Sequence, residues 1–212
     1  ATDSDGGFGT ESNPFEIVTK EQLSRVREYP DCSFVLTQDI VFTPDDFEEG
    51  GAFYNDGAGW EPIGTRDVPF TGTFDGNGHT IEGLEINRCR AYTGLFGYVE
   101  NGWIEDLYAK DITVQGNYYV TEQVWIGGIA GYLNGGVISG CAVSGSLSVK
   151  SYRQTEGMGG LAGGIDEAST ITQCYNQATI TGTLVTGGIT ALAGGNISSC
   201  YNVGVVTSGR EG

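Results

Sequence analysis

Four segments of the chain are variants of one pattern. Aligned on a shared glycine they read GLFGYVENGWIEDLYAKDITVQG (94–116), GGIAGYLNGGVISGCAVSGSLS (127–148), GGLAGGIDEASTITQCYNQATITG (159–182) and GGITALAGGNISSCYNVGVVTSG (187–209), with a degenerate member, TGTFDGNGHTIEGLEIN, at 71–87. The alignment produces a ladder of Ile81, Ile104, Ile138, Ile171 and Ile197, followed three positions later by Leu84, Leu107, Cys141, Cys174 and Cys200. A second ladder reads Ile86, Ile112, Leu147, Ile180 and Val205, and a third, preceding both, Leu95, Ile129, Leu161 and Ile189. Each unit is three short runs of alternating apolar and small or polar residues, broken by Gly, Asn or Asp, which is how strands joined by sharp corners read. A unit so short cannot bury its apolar face alone, but stacked units bury a continuous column.

The pattern predicts an all-β chain: a right-handed, single-stranded parallel β-helix of about seven coils. At the ~4.8 Å spacing of paired strands it stands roughly 30–35 Å tall. A propeller blade needs four strands in roughly 40 residues. The isoleucines at 81 and 104, and at 171 and 197, are too close for that. Glycine fills 36 of 212 positions with only 5 prolines and no G-X-Y period, so the excess belongs to tight corners and close backbone stacking rather than to collagen or a Pro-rich linker.

Ten basic against 27 acidic residues leave a formal charge of -17, which repels phosphate backbones and anionic headgroups, so no nucleic acid is expected as a partner. No stretch reaches the ~18 apolar residues of a membrane span, so no membrane insertion is expected either, and residues 1–14 lack the layout of a signal peptide. With His79 the one histidine, an H-E-x-x-H zinc site cannot be built within this segment.

Residues 1–70 read as an N-terminal cap and first coil, and 71–212 as repeats continuing the same β-helix, one domain overall. Thr19 and Gln22 have the layout of a capping box, leading into a short helix with Leu23 and Val26 on one face. Phe34–Leu36 and Asp39–Phe42 read as the first coil. A helix there covers the open end of the apolar column. The carboxyl end shows no such device, so further domains are expected C-terminal to it.

Several residues of the chain resemble a known family. Trp60-Glu61-Pro62-Ile63-Gly64, then Phe70-Thr71-Gly72-Thr73-Phe74-Asp75-Gly76-Asn77-Gly78-His79-Thr80-Ile81-Glu82-Gly83-Leu84, then Gly94-Leu95-Phe96-Gly97-Tyr98 look like the GLUG-repeat proteins of bacterial surfaces. The opening Gly9-Thr10-Glu11-Ser12-Asn13-Pro14-Phe15-Glu16-Ile17 with Gln22-Leu23 is similar to the capped entry before those repeats. The resemblance covers about residues 9–209. It implies an extracellular or cell-surface bacterial module, of the kind found in adhesins and in the non-catalytic N-terminal part of IgA1-cleaving metallopeptidases. No catalytic residues come with it. The repeats after Ile104 depart from the family by carrying Cys where Leu107 sits.

The thiols of Cys141, Cys174 and Cys200 are expected one above another as a buried column, because ligands along a line cannot surround a tetrahedral zinc. Cys32 and Cys89 stay unassigned. Asp45, Asp46 and Glu48, with Glu49 and Asp56 near them, have enough oxygens for calcium but lack EF-hand spacing, so a solvated acidic loop is favoured and no cofactor is expected. Asp75-Gly76-Asn77-Gly78 reads as a tight turn, and His79 has no acid at a recognisable spacing.

The long intervals place Gln115–Trp125 and Val149–Met158 side by side in neighbouring coils. One reading makes Tyr118, Tyr119, Trp125 and Tyr152 an aromatic platform with Arg153, a surface for a host or matrix protein or a glycan. The plainer reading makes these segments long strands that pair with each other. The leading expectation is therefore a non-catalytic adhesin or stalk module. The alternative is a carbohydrate-active enzyme, a lyase or glycoside hydrolase, drawing its acids from Glu82, Glu85, Glu105, Asp106 and Asp111.

Overall fold

The structure is a computed structural model, and it describes residues 7–88, 90–118, 123–151, 156–182 and 185–209. It is a parallel β-solenoid with four faces. The first face is a seven-stranded sheet, Phe15–Ile17, Ser33–Leu36, Thr73–Asp75, Trp103–Glu105, Val137–Ser139, Thr170–Thr172 and Asn196–Ser198, stacked in chain order. The second face runs from Ile40–Val41 through Thr80–Glu82, Tyr108–Tyr118 and Ala142–Ser151 to Tyr175–Asn176 and Tyr201–Asn202. Glu85–Asn87, Thr179–Gly182 and Val206–Ser208 pair beside that path. The third face holds Tyr92–Thr93, Val124–Gly127, Glu156–Gly159 and Val185–Gly187, and the fourth Phe96–Glu100, Ala130–Asn134, Ala162–Ile165 and Thr190–Ala193.

One hydrophobic cluster runs up the inside from Ile17 to Ile180. On the first face its rungs are Phe15, Phe34, Phe74, Ile104, Ile138, Ile171 and Ile197, each in register with the next. Ile81 is not among them. It pairs with Ile40 on one side and Ala109 on the other, so it belongs to the second face, and Phe74 takes the rung expected of it. The expectation fails because the tight turn after Asp75 advances the chain to a new face between Phe74 and Ile81.

The second ladder is also corrected. Ile86, Val114, Leu147, Ile180 and Val206 are the residues in register, not Ile112 and Val205. A register shift between Ala109 and Ile112, where Asp111 has φ 50°, puts one extra residue into the strand and moves Ile112 opposite Gly145. The third ladder is as expected: Ile129 N–H donates to Leu161 O at 3.0 Å and Leu161 N–H to Ile189 O at 2.9 Å.

At the N-terminus the helix Lys20–Arg25 has its capping box, with Thr19 Oγ1 accepting from Gln22 N–H at 3.1 Å and Gln22 Oε1 from Thr19 N–H at 3.0 Å. Leu23 and Val26 are fully buried in the common core. The strand Phe15–Ile17 precedes this helix and pairs with Ser33–Leu36, so the first rung begins earlier than Phe34. Residues 60–70 already feed the fourth face, through Ile63 beside Phe96 and Phe70 beside Val99.

Further along the solenoid, Asp166 ties its coil to the one before it. Burial alone would raise its pKa, but bonds from Ser169 Oγ (2.5 Å) and the Gly135 N–H (2.8 Å) outweigh it and hold the carboxyl below the ordinary 3.8. A depressed pKa means the stabilisation is present above about pH 4 and lost as the pH falls through the folded value. Asp166→Asn is therefore expected to lower Tm at pH 7 and to narrow the gap to wild type in acid, as thermal melts across that range will show.

Candidate functional site

On the third face, Tyr92, Trp125, Gly157 and Val185 occupy one register position. On the fourth, Tyr98, Tyr132, Gly164 and Leu192 occupy another. The two faces meet at glycines: a Cβ on Gly163 would lie 2.5 Å from the Ile126 backbone nitrogen. With no side chain to separate the strands there, the aromatic residues of both faces converge into one seam.

Tyr98 and Tyr132 stack at 5.7 Å and 18°, Tyr92 stands edge-on to Tyr98 at 5.0 Å, and Trp125 lies 5.3 Å from Tyr132. The indole rests on glycine. A Cβ at Gly157 would approach the ring to 2.5 Å and one at Gly164 to 2.8 Å. Offset and edge-on rings at these separations attract one another; Tyr98 is buried in the seam, and Tyr92, Trp125 and Tyr132 are half-buried. Burial raises the pKa of both Tyr98 and Tyr132, so these phenols stay protonated and can donate as well as accept. Beside the seam lies a recess of about 170 Å³ lined by Pro62, Gly64, Thr65, Arg90, Ala91 and Tyr92. That is below the ~300 Å³ at which pockets enclose a small molecule, so the surface suits a ligand that lies along it.

Of the residues expected at a site, Trp125 joins this cluster. The backbone of Tyr118 pairs with Ser151 at the end of two long strands, Tyr108–Tyr118 and Ala142–Ser151. The plainer reading of these segments thus holds for their described part. Tyr119, Tyr152 and Arg153 lie outside the described residues. Tyr92, Tyr98 and Tyr132 are not among the site residues expected from the sequence; Tyr98 and Tyr132 share a G-x-x-G-Y spacing, Gly94-x-x-Gly97-Tyr98 and Gly128-x-x-Gly131-Tyr132, but that spacing does not show that their rings meet Trp125.

The acidic candidates do not gather round a metal. Asp46 turns back to Lys20 at 2.6 Å and to the Thr43 N–H at 2.7 Å. Asp45 and Glu48 remain exposed, and no group of three or more metal-type ligands forms among the described residues. The enzyme candidates divide between faces: Glu82 is paired with Lys110 at 3.1 Å on the second, while Glu105 sits beside Asp75 on the first. Burial, then Asp75 and Asp106, raise the Glu105 pKa.

His79 lies between the turn and the strand Thr80–Glu82, and stacking brings it an acid at a separation that the sequence does not mark. Asp39 lies 3.1 Å away and also accepts from the Thr80 N–H, a pairing made by stacking across 40 residues of sequence. The turn before it is as expected, with Asn77 and Gly78 at φ 50° and 75° and the Asn77 N–H bonded to Asp75.

The thiol column is present. Cys141 N–H donates to Cys174 Sγ at 3.3 Å, and the Cys141, Cys174 and Cys200 thiols donate to Ser139, Thr172 and Ser198 carbonyls at 3.3, 3.0 and 3.2 Å. These three and Cys32 are free; Cys89 lies outside the described residues. Burial pushes the Cys141 thiol well up, which keeps it an inert packing group.

No family model matches the chain. A stretch of 144 residues, 65% of this chain, is 38% identical to 15% of a protein of Evansella cellulosilytica named "Putative Gly-rich membrane protein". A stretch of 136 residues, 61% of this chain, is 36% identical to 1% of "Halomucin" from Haloquadratum walsbyi. The chain thus spans a small part of these relatives. Among solved structures, the "Crystal structure of a putative immunoglobulin A1 protease from Bacteroides ovatus" aligns over 97% of this chain and 80% of that one, at 19% identity and a TM-score of 0.43. Among the described residues no helix is long and apolar enough to cross a membrane.

Proposed function

We propose that this β-solenoid is a ligand-binding module of a bacterial surface protein of the GLUG-repeat kind, an adhesin segment without catalysis of its own. Its ligand is an extended glycan held along the aromatic seam. The observation that carries the reading is the convergence of Tyr92, Tyr98, Trp125 and Tyr132 from two faces onto a glycine floor. Rings of this kind stack on the apolar faces of sugars, and phenol hydroxyls supply the hydrogen bonds that orient them. The names of the two relatives, "Putative Gly-rich membrane protein" and "Halomucin", support a surface location.

Glycan and mucin arrays probed with the purified chain test this. Trp125→Ala is expected to weaken the strongest array hit at least about tenfold, roughly 1.4 kcal/mol, with an unchanged circular dichroism spectrum. Gly164→Ala, whose methyl would meet both the indole and the Tyr132 ring, is expected to act in the same direction. A silent array together with product release from acidic polysaccharide would replace this reading with a carbohydrate-active enzyme. Glu105, with its raised pKa beside Asp75, would then be the first acid to substitute.

A further inference from the structure

One end of the aromatic seam is basic. The recess beside it is lined by Thr65, Arg90 and Tyr92 among others. Ile63 bridges to Phe96, and the Tyr98 N–H donates to the Gly64 carbonyl at 3.2 Å. Residues 64 and 65 therefore lie one coil before Tyr98, and the recess continues the line on which Tyr98 and Tyr132 stack. A ligand lying along the rings runs off them into the recess.

Arginines collect there. Of the ten basic residues in a chain with 27 acidic ones, Arg27, Arg66, Arg88 and Arg90 belong to this corner. Two of them are fixed in place. Arg27 lies over the Trp60 ring at 5.0 Å and donates to Ser24 Oγ at 2.6 Å, and Arg88 donates to the Trp60 and Gly59 carbonyls at 2.7 and 2.9 Å. Burial is the main reason that the pKa values of both are lowered, and Arg90 adds to it in each case, so the three charges are close enough to act on one another.

Arg90 is the exposed member. It meets Glu61 at 3.2 Å, with 46% and 41% of the two side chains open to water. An ion pair so exposed holds weakly, so the guanidinium can turn to an oxyanion brought by a ligand and grip it through two parallel N–H donors. Arg66, one residue past Thr65, lies within electrostatic reach of the Tyr98 phenol. Glu100 acts on Tyr98 and Asp166 on Tyr132 with the opposite sign, which disfavours an anion along the rings beyond the recess. The overall charge of -17 is largely screened beyond ~8 Å at physiological salt, which leaves the recess to its own arginines.

We infer, on the reading of the seam as the glycan site, that the ligand is an acidic glycan: Arg90 holds the carboxylate or sulfate of one sugar in the recess while neighbouring sugars stack on Tyr92 and Trp125.

The test is an array that pairs each acidic glycan with a neutral one differing only in the acid, a carboxylated oligosaccharide against its methyl ester and a sulfated one against its desulfated form. The acidic member is expected to bind about tenfold or more tightly, and Arg90→Gln to remove most of that preference with an unchanged circular dichroism spectrum. Trp125→Ala is expected to weaken both members alike and to keep the preference. A preference within the carboxylated pairs assigns the recess to a carboxylate and one within the sulfated pairs to a sulfate, and either upholds the inference. Equal binding of both members, or a preference that survives Arg90→Gln, overturns it, and the seam remains the glycan site where Trp125→Ala still weakens both. Should Trp125→Ala change nothing, the seam reading itself fails and the acidic ligand with it.

Discussion

Ile171→Asp is expected to unfold the C-terminal coils, whereas Ile197→Asp, one rung further on, should be tolerated. The two positions share a ladder and differ in what lies above them. Ile171 is fully buried between Ile138 and Ile197, and Ile197 is 40% exposed. A carboxylate at 171 would stand in the apolar column, with Ile138 below it and Ile197 above. Losing the aliphatic contacts and burying an unpaired charge together cost about 3–5 kcal/mol. That is a large share of the ~5–15 kcal/mol by which native proteins are stable. At 197 the new carboxylate reaches water, and the expected cost is below about 1 kcal/mol. Thermal melts and limited proteolysis of the two variants decide the matter: equal losses would mean that the ladder is not the core.

Asn176→Leu should be the most damaging substitution of similar volume in the second face. The column below it is apolar, Ile40, Ile81, Ala109 and Val143, so leucine would continue the pattern. Yet Asn176 is fully buried and its side chain satisfies both the Ala178 N–H (3.0 Å) and the Ala178 carbonyl (3.2 Å) as well as Asn202. Leucine leaves two buried backbone groups unpaired, at about 1–3 kcal/mol each. A loss of about 2–4 kcal/mol is expected in denaturant titration, with faster amide exchange centred on 176–182. Asn176→Asp keeps the acceptor and loses the donor, and should restore only the bond from the Ala178 N–H.

Much of the architecture was legible because strands and turns write short-range signals. The period-2 runs around Ile138, Ile171 and Ile180, the Thr19 and Gln22 capping box and the Asn77-Gly78 turn each depend on neighbours within a few residues, and each is found as expected. The thiol column followed from counting from the isoleucines. The errors lie where counting was interrupted. A turn between Phe74 and Ile81, and one extra residue before Ile112, shift the phase of a ladder without changing its composition.

The aromatic seam was less legible than the fold. Trp125 was singled out because it adjoins a long insertion, but its partners Tyr92, Tyr98 and Tyr132 come from other strands and two different faces. Linear spacing does not reveal which outward side chains meet when two sheets close on each other at glycine. The His79 and Asp39 pairing is hidden for the same reason.

By itself, then, the sequence determined that the chain stacks short parallel strands around an apolar column, because alternation and corner residues are local properties of each repeat. Only the tertiary structure decided which residues share a rung and which aromatics share a surface. Those depend on backbone groups meeting across a whole coil, where a single inserted residue changes every contact that follows.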